Sequence, residues 1–340
     1  MSNLYFSMII CCYNSSTKLP KTLQHISNLN LTPDFKVEII LVDNNSIDNT
    51  AAIALQIWNE LQSDLKFKIT FEPKPGLSFA RNKGVQESQG NYVLFCDDDN
   101  WLDEDYLINA NTILNTDSKI GMLGGIGYEV SNINFPDWFK NEKLTYAVGP
   151  QNNVDGDISK IKGYVYGAGA IVKKELLELL QFIGFENVLT DRVKRNTVTG
   201  GGDNEIGYAI VLLGYKIYYS ENLKFKHFIT KDRLTIKYLL KFKKGLIYTA
   251  VACNTYERYI FFNDMQFQPL QFKYIYLSKL FKTIIKYIFG KLSYYEYITR
   301  SLNFYNLIIK SLFYSKDDYK IYQKTKSNIL KINSYKNTAA

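Results

Sequence analysis

The sequence is short of the residues that would make its chemistry obvious. Among 340 residues there are two histidines and four cysteines. Cys11, Cys12, Cys96 and Cys253 form no CxxC pair, and three lie in apolar strand or helix contexts. Nothing in that spacing calls for zinc or a disulfide framework, so reduced, buried thiols of a cytoplasmic protein are expected. No GxGxxG follows the first strand pattern and no GxxxxGKS occurs anywhere. That removes the usual phosphate cradles of dinucleotide oxidoreductases and P-loop NTPases. Nowhere do eighteen apolar residues run without a charge, so no spanning helix is expected. The N-terminus, MSNLYFSMIICCYN, has neither a basic segment nor a cleavage site, and no signal peptide is expected. No zinc, helix-turn-helix or RNA-binding signature accompanies the net charge of +8, so nucleic acid is not an expected partner.

What is present describes a globular chain with unevenly placed charge. Hydrophobic residues make up 46% and charged residues 22%, which excludes a disordered chain and allows one large core, alone or with an appendage. Residues 1–221 carry 19 Lys and Arg against 27 Asp and Glu, whereas residues 222–340 carry 22 against 6, a net of +16. The basic character belongs to the tail, and such a tail suits an anionic surface.

Strand and helix patterns alternate from the start. Leu4–Cys12 is an apolar run ending at Tyr13–Asn14, and a helix follows with Leu19, Leu23, Ile26 and Leu29 on one face. Val37–Val42 ends at Asp43–Asn44 before a helix carrying Ile53, Ile57 and Leu61. Lys66–Glu72 alternates as a third strand until Pro73–Gly76 breaks the chain. Ser78 opens a short helix containing Arg81, and Tyr92–Cys96 is a short apolar run of the kind found in interior parallel strands. This rhythm predicts an α/β fold, a doubly wound, mostly parallel sheet flanked by helices.

Ligands of such sheets gather beyond the carboxyl ends of the strands. Three of those ends deliver polar groups: Tyr13 and Asn14, then Asp43 and Asn44, then Asp97, Asp98 and Asp99. Three adjacent carboxylates raise one another's pKa unless a cation sits among them. Continued alternation would point Asp97 and Asp99 the same way, about 6–7 Å apart. Hard oxygen ligands suit Mg²⁺ or Mn²⁺ together with substrate phosphates; the competing reading is a solvated turn capping the next helix. A carboxylate accepting from a flat base, a guanidinium forked onto phosphate and a metal would together hold a nucleoside diphosphate. Singly, Asp43–Asn44 also reads as an Asx turn and Arg81 as a surface ion pair.

Taken in order, SMIICCYN, VEIILVDNNSIDNT, KPGLSFARNKGV and YVLFCDDDNWLDEDYL resemble the family 2 glycosyltransferases of the GT-A fold, over roughly residues 5–230. The resemblance implies an inverting transferase that uses a nucleotide-diphospho-sugar, UDP-linked by preference, and Mn²⁺ or Mg²⁺. It matches Asp43 to the family's base-contacting Asp, Arg81 to its nucleotide-side Arg, and Asp97 and Asp99 to the outer members of its Asp-x-Asp motif. Tyr13, Asn14, Asn44, Asp97 and Asp98 are counted with them as donor-binding residues. By analogy the acceptor is a glycan or lipid-linked saccharide, in surface polysaccharide synthesis in the cytoplasm at the inner face of the membrane. Two rival readings are a sugar nucleotidyltransferase, which wants a Gly-rich, Arg-containing signature where CCYNSS stands, and a non-catalytic, membrane-attached binding protein of the same fold.

Residues 128–162 are polar and weakly periodic, a predicted long loop that covers or selects the acceptor. Tyr164–Lys173 reads as a strand that Gly167 and Gly169 let pack closely, and Lys174–Ile183 as a helix. Gly200–Gly202 allow a tight approach to a ligand, and Asp203 precedes a predicted helix, Glu205–Leu213. Asp203 is either an N-cap or the general base that deprotonates the acceptor hydroxyl. The family segment holds a Glu-Asp pair whose Asp aligns with Asp203. Gly202 replaces its Glu, which leaves Glu205 as a second candidate base.

Tyr215–Ser220 and Leu223–Phe228 read as the last strands. His227 is either packed, phosphate-facing, or the third metal ligand that some GT-A enzymes place here. His25, in a helix, reads as structural. Lys231 and Arg233 either neutralise the diphosphate or begin the basic tail. Residues 1–230 are thus read as a catalytic domain and 231–340 as a basic, amphipathic helical region. In Lys273–Phe289, apolar Ile275, Leu280, Phe281, Ile284, Ile285, Ile288 and Phe289 interleave with Lys279, Lys282 and Lys286. Such a helix either lies in the interface of an anionic membrane or packs on the catalytic domain with its lysines in water. Residues 315–340 are expected to fray.

Overall fold

The computed structural model describes residues 4–189, 200–266, 271–312 and 316–339. The first half runs β1 (Tyr5–Cys12), α1 (Leu19–Ser27), β2 (Lys36–Asp43), α2 (Thr50–Leu61), β3 (Lys66–Phe71), α3 (Leu77–Glu87), β4 (Tyr92–Asp97), β5 (Asn100–Leu102) and α4 (Tyr106–Leu114). It continues through β6 (Ile120–Val130), β7 (Gly156–Asp157), β8 (Ile171–Lys173), α5 (Lys174–Phe182), α6 (Gly202–Leu212) and β9 (Lys216–Phe228). Four helices close the chain: α7 (Ile236–Phe262), α8 (Gln271–Ile288), α9 (Tyr294–Leu312) and α10 (Lys316–Ala339).

The nine strands among the described residues form one sheet in the order β3-β2-β1-β4-β8-β6-β9-β5, with β7 beside β9. β3, β2, β1 and β4 are mutually parallel, β6 and β9 form a further parallel pair, and β8 joins the two groups antiparallel to both neighbours. β1 shows why these strands are interior. Phe6, Met8, Ile10 and Cys12 point to one face, where α1, α2 and α4 cover them, and Ile9 points to the other, towards Ala80, Leu176 and Ile210 of α3, α5 and α6. Apolar residues on both faces, interrupted only by Ser7, whose buried hydroxyl donates to Glu38 Oε1, mark a strand buried on both sides. None of Cys11, Cys12, Cys96 and Cys253 forms a disulfide, and burial pushes the Cys253 thiol up to about 12.

Four expectations differ from the structure for identifiable reasons. Tyr164–Lys173 is strand only from Ile171, because the preceding residues turn at Gly167 and Gly169 beneath the side chains of Arg81 and Tyr106. The two final strands are one: β9 bulges opposite Gly125, whose added Cβ would lie 1.9 Å from the Leu223 carbonyl oxygen. The stretch from residue 128 is not all loop, since β6 reaches Val130 and two 3-10 turns occupy Asp137–Asn141 and Lys143–Tyr146. α6 begins at Gly202 after Gly201 at φ 109°, so Asp203 lies inside the first helical turn and not ahead of it.

The tail also departs from expectation. Residues 316–339 do not fray: Ile329 and Ile332 of α10 are fully buried against Leu180, Tyr208, Leu212 and Tyr256. The Asn328 amide donates to the Glu186 carbonyl oxygen while its Oδ1 accepts from the Glu186 N–H, which ties α10 to the loop after α5. No helix among the described residues is long and apolar enough to cross a membrane.

Candidate functional site

The carboxyl end of β4, the first turns of α3 and α6, the 144–147 segment and the start of α7 enclose a cavity of about 360 Å³. Arg81, Asp97, Asp203, His227 and Arg233 all line it. Residues predicted from four separate stretches of sequence therefore meet in one place. Arg81 is buried, its guanidinium 5.0 Å above the centre of the Phe95 ring, and a Cβ on Gly167 would stand 2.5 Å from its Nη2. The Gly167 N–H in turn donates to Asp203 Oδ2 at 2.6 Å. Gly167 thus sets both the guanidinium and the carboxylate, a role its reading as strand packing did not contain. Replacing it with Ala is expected to push Arg81 aside and to lower kcat/KM for a sugar donor about 10- to 100-fold, chiefly through KM, in steady-state assays.

The acidic triplet divides by direction. β4 stops at Asp97, so Asp98 and Asp99 leave the strand in a turn and the expected alternation does not extend to them. Asp97 reaches the cavity. Asp98 is buried on the far side, clasped by Ser15 Oγ and by Lys18 Nζ at 2.8 and 2.9 Å, and its backbone carbonyl accepts from Thr22 Oγ1. Burial and the neighbouring Asp99 charge push its pKa up, against Lys18. Asp98 fastens β4 to α1 and does not line the cavity.

Asp99 is buried beside two cavity residues. Its Oδ2 accepts from Arg233 Nη1 at 3.0 Å, and its Oδ1 lies 3.5 Å from His227 Nε2. Burial opposes its ionisation, but His227, Arg233 and Lys18 outweigh that and hold its pKa well below the usual carboxylate range. His227 Nδ1 is 2.7 Å from the Tyr146 carbonyl oxygen, which can only accept, so Nδ1 carries a proton. Nε2 faces Asp99 Oδ1 at 3.5 Å and Arg233 Nη1 at 3.3 Å.

The remaining predicted residues divide into those at the sheet edge and those committed elsewhere. Cys11 is paired with Asp97 and Cys12 with Asp43, which puts the two aspartates two strands apart, about 10 Å. Asp43 Oδ1 accepts from the Ser46 N–H, three residues on and so not the two-residue span of an Asx turn, and the exposed Tyr13 and the left-handed Asn14 stand next to it. None of these lines the cavity. Asn44 is fully used: its amide donates to the carbonyl oxygens of Glu72 and Lys74 and its Oδ1 accepts from Gly76, which shapes the turn into α3. Lys231 is exposed and off the cavity wall.

Glu205, the second candidate base, is not in the site. It is wholly buried, with Oε2 accepting from the Val188 and Leu189 N–H groups and Oε1 from the Tyr256 hydroxyl. It points away from Asp203 because one helical residue turns 100°, so positions two apart lie on nearly opposite sides. Groups that no sequence signal marked are Tyr146, Tyr166, Tyr238 and Phe242 on the cavity wall, and Lys162 behind it. Burial pulls the Lys162 pKa down to about 8 against the opposing charge of Asp203.

Comparison with known proteins gives the same part of the chain a family. The description Glycosyl transferase family 2 matches residues 7–180. A cholesterol galactosyltransferase of Borreliella burgdorferi is 37% identical over 93 residues, 27% of this chain and 24% of that protein. A poly-beta-1,6-N-acetyl-D-glucosamine synthase of Staphylococcus epidermidis is 29% identical over 119 residues, 35% of this chain and 27% of that one. The chain thus matches about a quarter of the length of each. Among solved structures, the mannosyltransferase PcManGT from Pyrobaculum calidifontis, in complex with GDP-Man and Mn²⁺, superposes with a TM-score of 0.60 at 17% identity over 92% of this chain and 88% of that one. S. aureus TarS in complex with UDP-GlcNAc gives 0.52 at 15% identity over 90% and 91%. At these identities the structures establish a shared fold.

Proposed function

The chain belongs to glycosyl transferase family 2, and from that we propose that its cavity moves a sugar from a nucleotide-diphospho-sugar to an acceptor hydroxyl with inversion at the anomeric carbon. The observation that carries this reading is that Asp203, Arg81, Asp97 and the Asp99–His227–Arg233 cluster share one cavity at the carboxyl end of β4. The base and ribose lie over Asp43 and Tyr13 at the ends of β2 and β1, and the diphosphate reaches Arg81 and Arg233. UDP is the favoured nucleotide; TarS with UDP-GlcNAc supports it, and PcManGT with GDP-Man makes GDP the comparison to run.

Asp203 takes the acceptor proton while the acceptor oxygen bonds to the anomeric carbon. The bond from that carbon to the diphosphate oxygen breaks, and its electron pair leaves with the nucleotide. The Gly167 N–H holds Oδ2, so the other carboxylate oxygen is the one to face the hydroxyl. The two guanidiniums neutralise charge growing on the leaving group, in a cavity where water does not screen them fully.

A divalent cation fits this chain's donors in kind. Asp97 and Asp99 offer hard oxygens, His227 offers Nε2, and the Asp99–His227 pair already faces a positive charge. Among the described residues no three such side chains converge on one point, so the donor's own phosphates would complete the shell. Such an ion would supply Lewis-acid stabilisation of the leaving diphosphate. The acceptor is a glycan or a lipid-linked saccharide of a surface polysaccharide, a setting supported by the glucosamine polymer synthase among the relatives.

The test is a thermal-shift screen of UDP- and GDP-sugars with and without Mn²⁺. A donor present at about 100 times its Kd should stabilise the native state by about 2.7 kcal/mol, a clear rise in Tm. If no nucleotide sugar raises Tm, with or without metal, the reading fails.

A further inference from the structure

α8 divides its apolar residues: Leu280 and Ile284 are half-buried, and a second apolar stripe faces outward. A helix packed on a globular protein turns its apolar stripe inward and its charges out. In α8 the one side chain of 276–288 that is buried is Thr283, whose hydroxyl is satisfied by the Lys279 carbonyl. Leu277, Phe281, Ile285 and Ile288, spaced four, four and three residues apart, form a stripe on the outside with exposures of 40%, 64%, 38% and 71%. Phe289 prolongs it at 72%. The predicted alternatives, a membrane-facing helix or a packed one, are thus separated by which face meets the protein. Ile275 lies outside the described side chains.

Charge picks the occupant of this stripe. Lys279, Lys282 and Lys286 flank it and Lys291 follows in the turn to α9; all are exposed, and none is ion-paired among the described residues. Residues 271–291 contain no acidic residue. A second copy of the same face across a two-fold axis would bring lysines against lysines, which repel. An anionic bilayer accepts both halves at once, the stripe among its acyl chains and the lysines at its headgroups.

We propose that the outer face of α8, with the α8–α9 turn, is a lipid-binding surface that seats the protein on anionic bilayers. It joins the cavity through a short route. Asn141 Nδ2 donates to Glu296 Oε1 at 2.9 Å, which ties the first turn of α9 to the 3-10 segment preceding Leu144–Ala147 of the cavity wall. Leu144, 54% exposed, is an apolar residue of that cavity wall. The proposal needs no assumption about donor chemistry, and its test contains no sugar nucleotide.

The test is co-sedimentation of the full chain with large unilamellar vesicles, either phosphatidylcholine alone or a two-to-one mixture with phosphatidylglycerol. Binding is expected to the mixed vesicles, much less to phosphatidylcholine, and to weaken as salt is added. Phe281→Ser with Ile288→Ser should lower partitioning at least about tenfold by removing buried apolar area. Lys282→Glu with Lys286→Glu should do the same for the mixed vesicles and leave the weak phosphatidylcholine binding unchanged. Both pairs are exposed, so melting curves matching the parent will show an intact fold. Failure of the parent chain to bind mixed vesicles overturns the proposal, as do variants that bind like the parent. A concentration-dependent dimer that the serine pair abolishes, with no vesicle binding, overturns it in favour of a second copy.

Discussion

Asp203→Asn should leave a protein that melts and binds a donor like the parent yet transfers sugar about 10²- to 10⁴-fold more slowly, the range a positioned general base contributes. The amide oxygen of Asn can still accept from the Gly167 N–H, so geometry is kept and only the proton acceptor is lost. No neighbour rescues it. Glu205 sits two residues away but is sealed between the backbone of 188–189 and the Tyr256 hydroxyl. The measurement is single-turnover transfer beside the thermal shift given by the donor. Transfer within twofold of the parent would remove Asp203 from the chemistry.

Asp99→Asn should act first on stability. It leaves the Arg233 guanidinium without its nearest anion, and breaking one side of a buried pair costs about 3–5 kcal/mol. For a chain of this size that is roughly 4–7 °C in Tm. The pH dependence has a definite sign. Asp99 keeps a depressed pKa in the folded state, so its contribution is complete above the unfolded value of about 4 and is lost only as pH falls below that towards the folded one. The Tm gap between parent and variant should therefore be flat from neutral pH to about 5 and narrow only in stronger acid. Adding Arg233→Met to Asp99→Asn should recover part of the loss, since the orphaned charge goes with it. A double variant no more stable than Asp99→Asn alone would show the pair is not what holds this corner.

The first four strands and their polar ends were legible because interior strands advertise themselves twice, by apolar runs and by the turn residues that stop them. Asp97 and Asp203 were legible for a like reason, since one ends such a run and the other stands in the first turn of a helix, whereas Arg81, His227 and Arg233 were picked out by residue type and by the motif order. What the sequence hid was direction. Asp98 and Asp99 follow Asp97 without a break, yet a turn sends one to Lys18 and the other to Arg233. Glu205 lies beside Asp203 in sequence and faces the opposite way on the helix. β6 was hidden by composition, since Gly121, Gly124, Gly125 and Gly127 replace the β-branched residues that mark a strand. Side chains of α5 and α6 press against Gly121, Val165 against Gly124, Leu223 of β9 against Gly125, and the Ala147 carbonyl and Phe225 against Gly127.

The clasp between α10 and the back of α6 gives the order of chain synthesis a meaning. By the time residue 315 has left the ribosome every side chain that lines the cavity has been made, but Tyr208 and Leu212 of the helix bearing Asp203 still lack Ile329 and Ile332 behind them. The Asn328 amide that fixes the 186–189 turn, and through it the anchorage of Glu205, is also still to come. The helix bearing Asp203 would settle only when α10 docks behind it, so the nascent protein can hold its first strands in place well before that helix is fixed.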